Sequence, residues 1–482
     1  MHLSIILRTT GILLLMFSAT MLTPLPIAWI FGDGMHGVFL IAFAITAISG
    51  FVLFVFNPTR QDLRTREGFL ITVLFYGALG TFGAVPFYLA QGISTSFTDA
   101  LFESVSGLTT TGATVFLGLD EMPRSLLFYR QQLQWLGGMG IIVFAVAVLP
   151  MLGVGGMQLY RAESPGQRVR DNKLTPRITE TAKALWLIYL LLTLACAAAF
   201  WLAGMSWFDA ICHSFSTIAI GGFSTHDASI GFFDSPAIEA ITVLFMLASA
   251  MNFGLHFVAF RSRSALPYWH DPEVRFFLSL MLALSFAVCA ALFLSGTFDV
   301  LDGVRYGIFQ TVSIATTTGF TTTTFSDWPG ALPYLVFFAA FAGGCAGSTA
   351  GGLKIVRVLL IYLQGIREMK RLIHPSAVIP VKLGARPVPD RVMEAVWGFF
   401  SAYVIVFLVF LLLVLASGEN FITAFSAVGA CLNNLGPGLG DVAQHYTALS
   451  DPSKWVLCLA MLMGRLEIFT LLVLFTPYFW QR

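Results

Sequence analysis

One pattern with chemical content occurs four times in this chain: Thr109-Thr110-Thr111-Gly112, Ala219-Ile220-Gly221-Gly222, Thr316-Thr317-Thr318-Gly319 and Asn433-Asn434-Leu435-Gly436. Each closes a short, half-polar stretch that begins near Phe97, Trp207, Phe298 or Phe421. Aligned on the glycine, other positions repeat. Six residues earlier stand Ser106, Ser216, Ser313 and Ala430; one later stand Ala113, Phe223, Phe320 and Pro437; two later, Thr114, Ser224, Thr321 and Gly438. Such turns offer carbonyl and hydroxyl oxygens and no carboxylate. Four of them around one axis could replace the hydration shell of a monovalent cation. Glycine suits the role because it takes positive φ, which lets successive carbonyls face one way. The expected potassium contacts are Thr110, Thr111, Gly112, Ile220, Gly221, Gly222, Thr317, Thr318, Gly319, Asn434, Leu435 and Gly436. The missing carboxylate ring speaks against a calcium-type filter. A large organic substrate would need a roomier, aromatic-lined pocket.

Two further features lie at one depth. The run Gly343-Gly344-Cys345-Ala346-Gly347-Ser348-Thr349-Ala350-Gly351-Gly352 interrupts an apolar stretch with five glycines, each worth about 1 kcal/mol against alanine in a helix interior. Helix packing through small residues would need one every fourth position, so an unwound segment is expected. Arg465 stands in the last apolar run, where a charge defaults to a functional role. Glu467 is two residues away, and side chains at that spacing do not meet on a helix. Arg465 follows Gly436 by 29 residues, as Ser348 follows Gly319. A gate formed by Gly343, Gly344, Gly347, Ser348, Thr349, Gly351 and Gly352 with Arg465 is therefore expected just below the filter.

The elements that must position these residues are membrane helices. Of 482 residues, 57% are hydrophobic and 11% charged, too little charge to cover a soluble surface of that size. A span needs about 20 apolar residues. Ten candidates follow: 5–31, 36–56, 68–91, 127–153, 184–204, 236–260, 276–296, 331–362, 394–417 and 455–479. The first run is read as a span rather than a cleaved signal segment, because it continues with no clear cleavage site. Basic residues gather after the second, fourth, sixth and eighth runs: Arg60, Arg64 and Arg66; Arg161, Arg168, Arg170, Lys173 and Arg177; Arg261 and Arg263; Arg367, Lys370, Arg371, Lys382, Arg386 and Arg391. The alternate loops hold Arg124, Arg305 and Lys454. These loops put both termini in the cytoplasm and the half-polar stretches on the outer side. The expected fold is an all-α polytopic membrane protein. It has four pseudo-symmetric helix–pore-loop–helix repeats around one pore, at 67–180, 181–273, 274–392 and 393–482. A two-helix region, 1–66, precedes them.

Other residues read more plainly. Asp99 and Asp209 stand where a carboxylate favours a helix N-terminus and are read as caps. Glu103 and His213 share one aligned position and are read as polar contacts behind the filter. The six cysteines, Cys196, Cys212, Cys289, Cys345, Cys431 and Cys458, form no CxxC pair, so no zinc site or disulfide framework is expected. A net charge of +1 gives no sign of nucleic-acid binding. No HExxH motif or catalytic carboxylate pair stands out, so no enzyme and no covalent cofactor are expected.

The four turns, Gly137-Gly138-Met139-Gly140, the Gly343–Gly352 segment with Lys354 following, and Met463-Gly464-Arg465 together resemble the Trk/Ktr/HKT superfamily of potassium transporters. The TrkH branch, with two extra N-terminal helices, fits best over nearly the whole chain. The resemblance implies potassium uptake in the bacterial inner membrane. It also implies a homodimer with one pore per subunit and a cytosolic, nucleotide-binding TrkA-type regulatory partner. Serine at the first filter glycine accompanies sodium permeation in such proteins; Gly112 favours potassium. The fourth turn, with Leu435 and Pro437, departs from the threonine-rich pattern and implies partial symmetry. A sodium-coupled or weakly selective cation symporter on the same scaffold is the competing reading.

Overall fold

The computed structural model describes residues 3–58, 65–90, 96–143 and 174–480. Among the described residues, six helical stretches are long and apolar enough to cross a membrane: Leu3–Phe31, His36–Val55, Glu67–Leu89, Ala182–Leu202, Pro272–Leu294 and Asp390–Ala416. Arg124–Val143 forms a further 20-residue helix; the remainder of the expected 127–153 span lies outside the described residues, as do Arg60, Arg64, Arg161, Arg168, Arg170 and Lys173. Exposed Leu282, Phe286, Leu294, Ile405 and Leu412 give these helices an apolar outer face, which suits a bilayer rather than water.

Between the long helices stand four short ones, Phe97–Leu108, Trp207–Ala219, Val300–Ala315 and Phe421–Asn433. Each is too short to span and is followed by one of the glycine turns. Three are started by side-chain caps: Ser96, Ser206 and Asn420 each accept from the backbone N–H three residues on. The expected caps Asp99 and Asp209 sit one turn inside, in the third helical position. Lys454 Nζ lies 2.7 Å from Asp99, and Asp209 accepts from the hydroxyls of Ser206 and Thr225. A serine at the cap leaves the carboxylate free to bind elsewhere while it still meets the helix dipole.

The inner spans depart from the ten-helix expectation. The 236–260 run is two helices, Pro236–Ser249 and Phe253–Ser262, bent by 97°. The 455–479 run breaks after Arg465 and bends by 109°. The 331–362 run keeps helix only over Leu332–Ala339, unwinds, and resumes as Ile355–Ile373. The third break was legible from its glycines. Residues 250–252 and 466–468 contain no glycine or proline, and the cause of the first of these two breaks is tertiary. The carbonyl of Ala250 accepts from Cys345 N at 2.8 Å, and Phe253 N donates to Gly347 O at 3.1 Å. The unwound glycine-rich segment thus takes hydrogen-bonding groups that a continuous helix would have used itself. A short hairpin, Lys382–Leu383 against Arg386–Pro387, lies between helices Ile355–Ile373 and Asp390–Ala416.

Candidate functional site: four glycine turns over an unwound segment

The four short helices end in the same way. The N–H just before each glycine donates to the carbonyl five residues back: Thr111 to Ser106, Gly221 to Ser216, Thr318 to Ser313 and Leu435 to Ala430, all at 2.8–2.9 Å. The residue before that donates three residues back. This pair of bonds is the Schellman closure of a helix C-terminus, which needs a left-handed residue. That residue is Thr110, Ile220, Thr317 or Asn434, with φ of 51°, 54°, 65° and 54°. None is glycine, and a left-handed Thr or Ile is strained by about 1–2 kcal/mol. The strain recurs at one position in all four repeats, so surrounding structure must hold it. The residue six before the glycine accepts through its carbonyl, which Ala430 supplies as well as the serines do; Ser313 also donates its hydroxyl to Phe320 O at 2.6 Å.

The glycines are left-handed as well: Gly112, Gly222, Gly319 and Gly436 have φ of 80°, 77°, 85° and 91°. Each abuts the next turn. A methyl group on Gly112 would overlap the carbonyl of Gly221, one on Gly222 that of Thr318, and one on Gly319 that of Leu435. Gly436 closes the circuit, its added carbon lying 2.8 Å from Thr111 O. The turns therefore form a closed ring, with glycine required by both φ and close approach. All four glycines line a vestibule of about 430 Å³ on one side of the ring. The C-terminal ends of four helices converge on it, and their dipoles place partial negative charge there.

Behind the ring, Glu103 accepts from Thr114 Oγ1 at 3.0 Å, and His213 Nε2 lies 2.9 Å from Ser224 Oγ. Both hydroxyls come two residues after their glycine. Buried Arg130 donates to Glu103 at 2.8 Å and to the carbonyl of Ser224 at 3.0 Å, tying the first repeat to the second. Tyr446 donates its hydroxyl to Gly436 O at 2.6 Å and its N–H to Thr114 O at 2.7 Å, tying the fourth to the first. At the vestibule rim, His226 lies 2.5 Å from Asp120 and 3.5 Å from Asp209. Burial opposes its charge, but its bonds to Asp209 and Asp120 and their negative charges outweigh that and raise its pKa above 6.5. Sequence reasoning missed Arg130, Gln134, Tyr446 and His226, because each occurs once and the repeat alignment has no partner for it.

The glycine-rich segment lies against the side of the ring away from the vestibule. Gly351 N donates to the hydroxyl of Thr317 at 2.7 Å, so it touches the third turn directly. Gly352 N donates to Asn433 O at 3.1 Å, and Thr349 Oγ1 to Ile218 O at 2.9 Å. A methyl on Gly351 would overlap Asn433 O, and one on Gly343 would overlap Gly351 O. The segment is tightly seated, with glycines where backbone meets backbone. Arg465 is buried and donates to Thr349 O at 2.9 Å and Gly137 O at 3.2 Å. The 29-residue count aligned Arg465 with Ser348; the bond in the structure is to the next residue, Thr349, and the guanidinium joins the unwound segment to the inner helix of the first repeat. Glu467 pairs with Arg357 at 2.9 Å rather than with Arg465. Among the described residues, no group of three or more His, Cys, Asp or Glu side chains could hold a metal ion.

The whole arrangement has known counterparts. The TrkH family profile, described as a cation transport protein, matches residues 35–482. The chain is 57% identical over 483 residues to the Trk system potassium uptake protein TrkH of Halomonas elongata, covering 100% of both chains. It is 55% identical to the protein of that name from Escherichia coli K12, again over 100% of both. The crystal structure of the potassium transporter TrkH from Vibrio parahaemolyticus superposes with a TM-score of 0.93 at 54% identity, covering 100% of each chain. This chain belongs to the TrkH family of cation transport proteins.

Proposed function

We propose that the protein carries potassium into the cell across the cytoplasmic membrane, with the four glycine turns as its selectivity filter. The observation that carries this reading is the closed ring of turns sharing one strained backbone conformation. Left-handed φ at the residue two before each glycine and at the glycine itself lets carbonyls of the turns face the axis. Neutral oxygens and helix dipoles bind a cation weakly enough for it to leave. The ligands are the residues expected from sequence, from Thr110–Gly112, Ile220–Gly222, Thr317–Gly319 and Asn434–Gly436. The Gly343–Gly352 segment with Arg465 is the gate, since it lies across the inner side of the ring and carries a positive charge. The basic loops support a topology with both termini in the cytoplasm. The names of the relatives support potassium as cargo and a transport role rather than an enzymatic one.

Regulation follows the same logic. Helix Ile355–Ile373 leaves the gate and carries Arg367, Lys370 and Arg371 toward the cytoplasmic side, where a nucleotide-binding partner of the TrkA type can act on it. A homodimer, one pore per subunit, is the assembly that the family resemblance supports. Uptake by cells lacking other potassium systems tests the function: expression should restore accumulation from potassium medium. Equal rates with potassium replaced by sodium would instead favour the weakly selective symporter.

A further inference from the structure

The hydroxyl pair that braces two of the four turns is missing from the second, and a side chain from another repeat takes its place. In the first and third turns, the residue before the glycine is threonine, and its hydroxyl meets that of the threonine two residues earlier. Thr109 and Thr111 are 2.7 Å apart, and Thr316 and Thr318 2.8 Å. In the fourth turn the position is Leu435, buried among apolar side chains. In the second turn both positions lack a hydroxyl: they are Ala219 and Gly221. The space beside Gly221 is taken by Gln134, which comes from the first repeat's helix Arg124–Val143. An added carbon on Gly221 would run into the Gln134 carboxamide. Gly221 does not have a positive φ, so this space, not the backbone, excludes a side chain.

The amide also bonds on both sides of Gly222. Gln134 Nε2 donates to Gly221 O at 2.6 Å, and Phe223 N donates to Gln134 Oε1 at 3.1 Å. The orientation is fixed, because Phe223 N can only donate and a carbonyl can only accept. Gln134 is fully buried, so no water competes for either bond. Gly221 O is the oxygen that abuts Gly112 across the joint between the first and second turns. Holding it sets the spacing at that joint.

We infer that Gln134 is a positioning residue for ion discrimination, supplying from the first repeat the support that the second turn's own residues lack. This rests on the filter reading above. It is tested by reversal potentials of the full chain in liposomes under opposed potassium and sodium gradients. Gln134→Met keeps the length and loses both bonds. It should lower the potassium-to-sodium permeability ratio about tenfold, the change expected from losing one net hydrogen bond of ordinary strength. Gln134→Ala should do the same. Gly221→Ala alone should be impaired, because its methyl needs the space of the amide, and should cause no further loss in the Gln134→Ala background. Such non-additivity marks a shared site. Wild-type ratios in Gln134→Met, or additive losses in the double variant, would overturn the assignment. If Gln134→Ala does not insert, Gln134→Met decides. If Gly112→Ser changes the ratio while the Gln134 variants do not, the filter reading stands and this inference falls; if none changes it, both fall.

Discussion

Replacing Arg465 by methionine keeps an unbranched side chain in the buried site and removes the guanidinium. Two hydrogen bonds disappear, to Thr349 O at 2.9 Å and to Gly137 O at 3.2 Å. A hydrogen bond from a charged donor contributes about 1.5–3 kcal/mol net, and removing a buried charge returns part of that. Only the Thr349 bond depends on the segment being seated; taking about 2 kcal/mol for it, the closed-to-open ratio should fall about 30-fold. Arg465→Lys separates geometry from charge. The ammonium keeps the positive barrier but lacks the planar fork that reaches two carbonyls, so its effect should be smaller, nearer tenfold. The assay is potassium efflux from liposomes without the regulatory partner. Basal flux should rise in the order wild type, Arg465→Lys, Arg465→Met. Equal fluxes from three proteins inserted to the same extent would refute the claim that this residue holds the segment closed.

Gly112→Ser should reduce potassium-over-sodium permeability, because its side chain would overlap the Gly221 carbonyl at a φ of 80°; an unchanged ratio would remove the first turn from the filter. The raised pKa of His226 gives a signed pH dependence. The stabilisation from its ion pairs is full below pH 6.5 and is lost as pH rises through the folded-state value. The melting temperature in detergent should therefore fall on that alkaline side, and the fall should be smaller in His226→Asn; identical profiles would show that the pair contributes nothing. Charge reversal at Arg367, Lys370 and Arg371 should weaken co-purification with a TrkA-type subunit while leaving membrane insertion intact. Full retention of the complex would exclude this surface as the docking site.

What the sequence made legible was whatever recurred or carried a strong local signal. The four turns could be aligned because their glycines are needed twice, for φ and for contact with the neighbouring turn. The unwound segment showed itself through five glycines, and Arg465 through its isolation in an apolar run. The breaks at 250–252 and after Arg465 gave no such signal. Ala250-Met251-Asn252 and Leu466-Glu467-Ile468 read as ordinary helix, and only pairing with the segment around Cys345 and Gly347 unwinds the first of them. Asp99 and Asp209 were placed at the right end of the right helices, but Ser96 and Ser206 take the cap and free the carboxylates for Lys454 and Thr225. Gln134 stayed hidden because its meaning lies in what Gly221 lacks, a comparison that needs the ring itself.

If the ring of turns selects potassium, ion preference must be a property of the chain alone. Reversal potential in liposomes containing the chain alone, with potassium on one side and sodium on the other, tests it most directly. A potassium-selective ring should give a reversal potential close to the potassium equilibrium value, moving with the potassium gradient when sodium is held constant. A potential near zero in opposed equal gradients, or one that follows sodium, would contradict it.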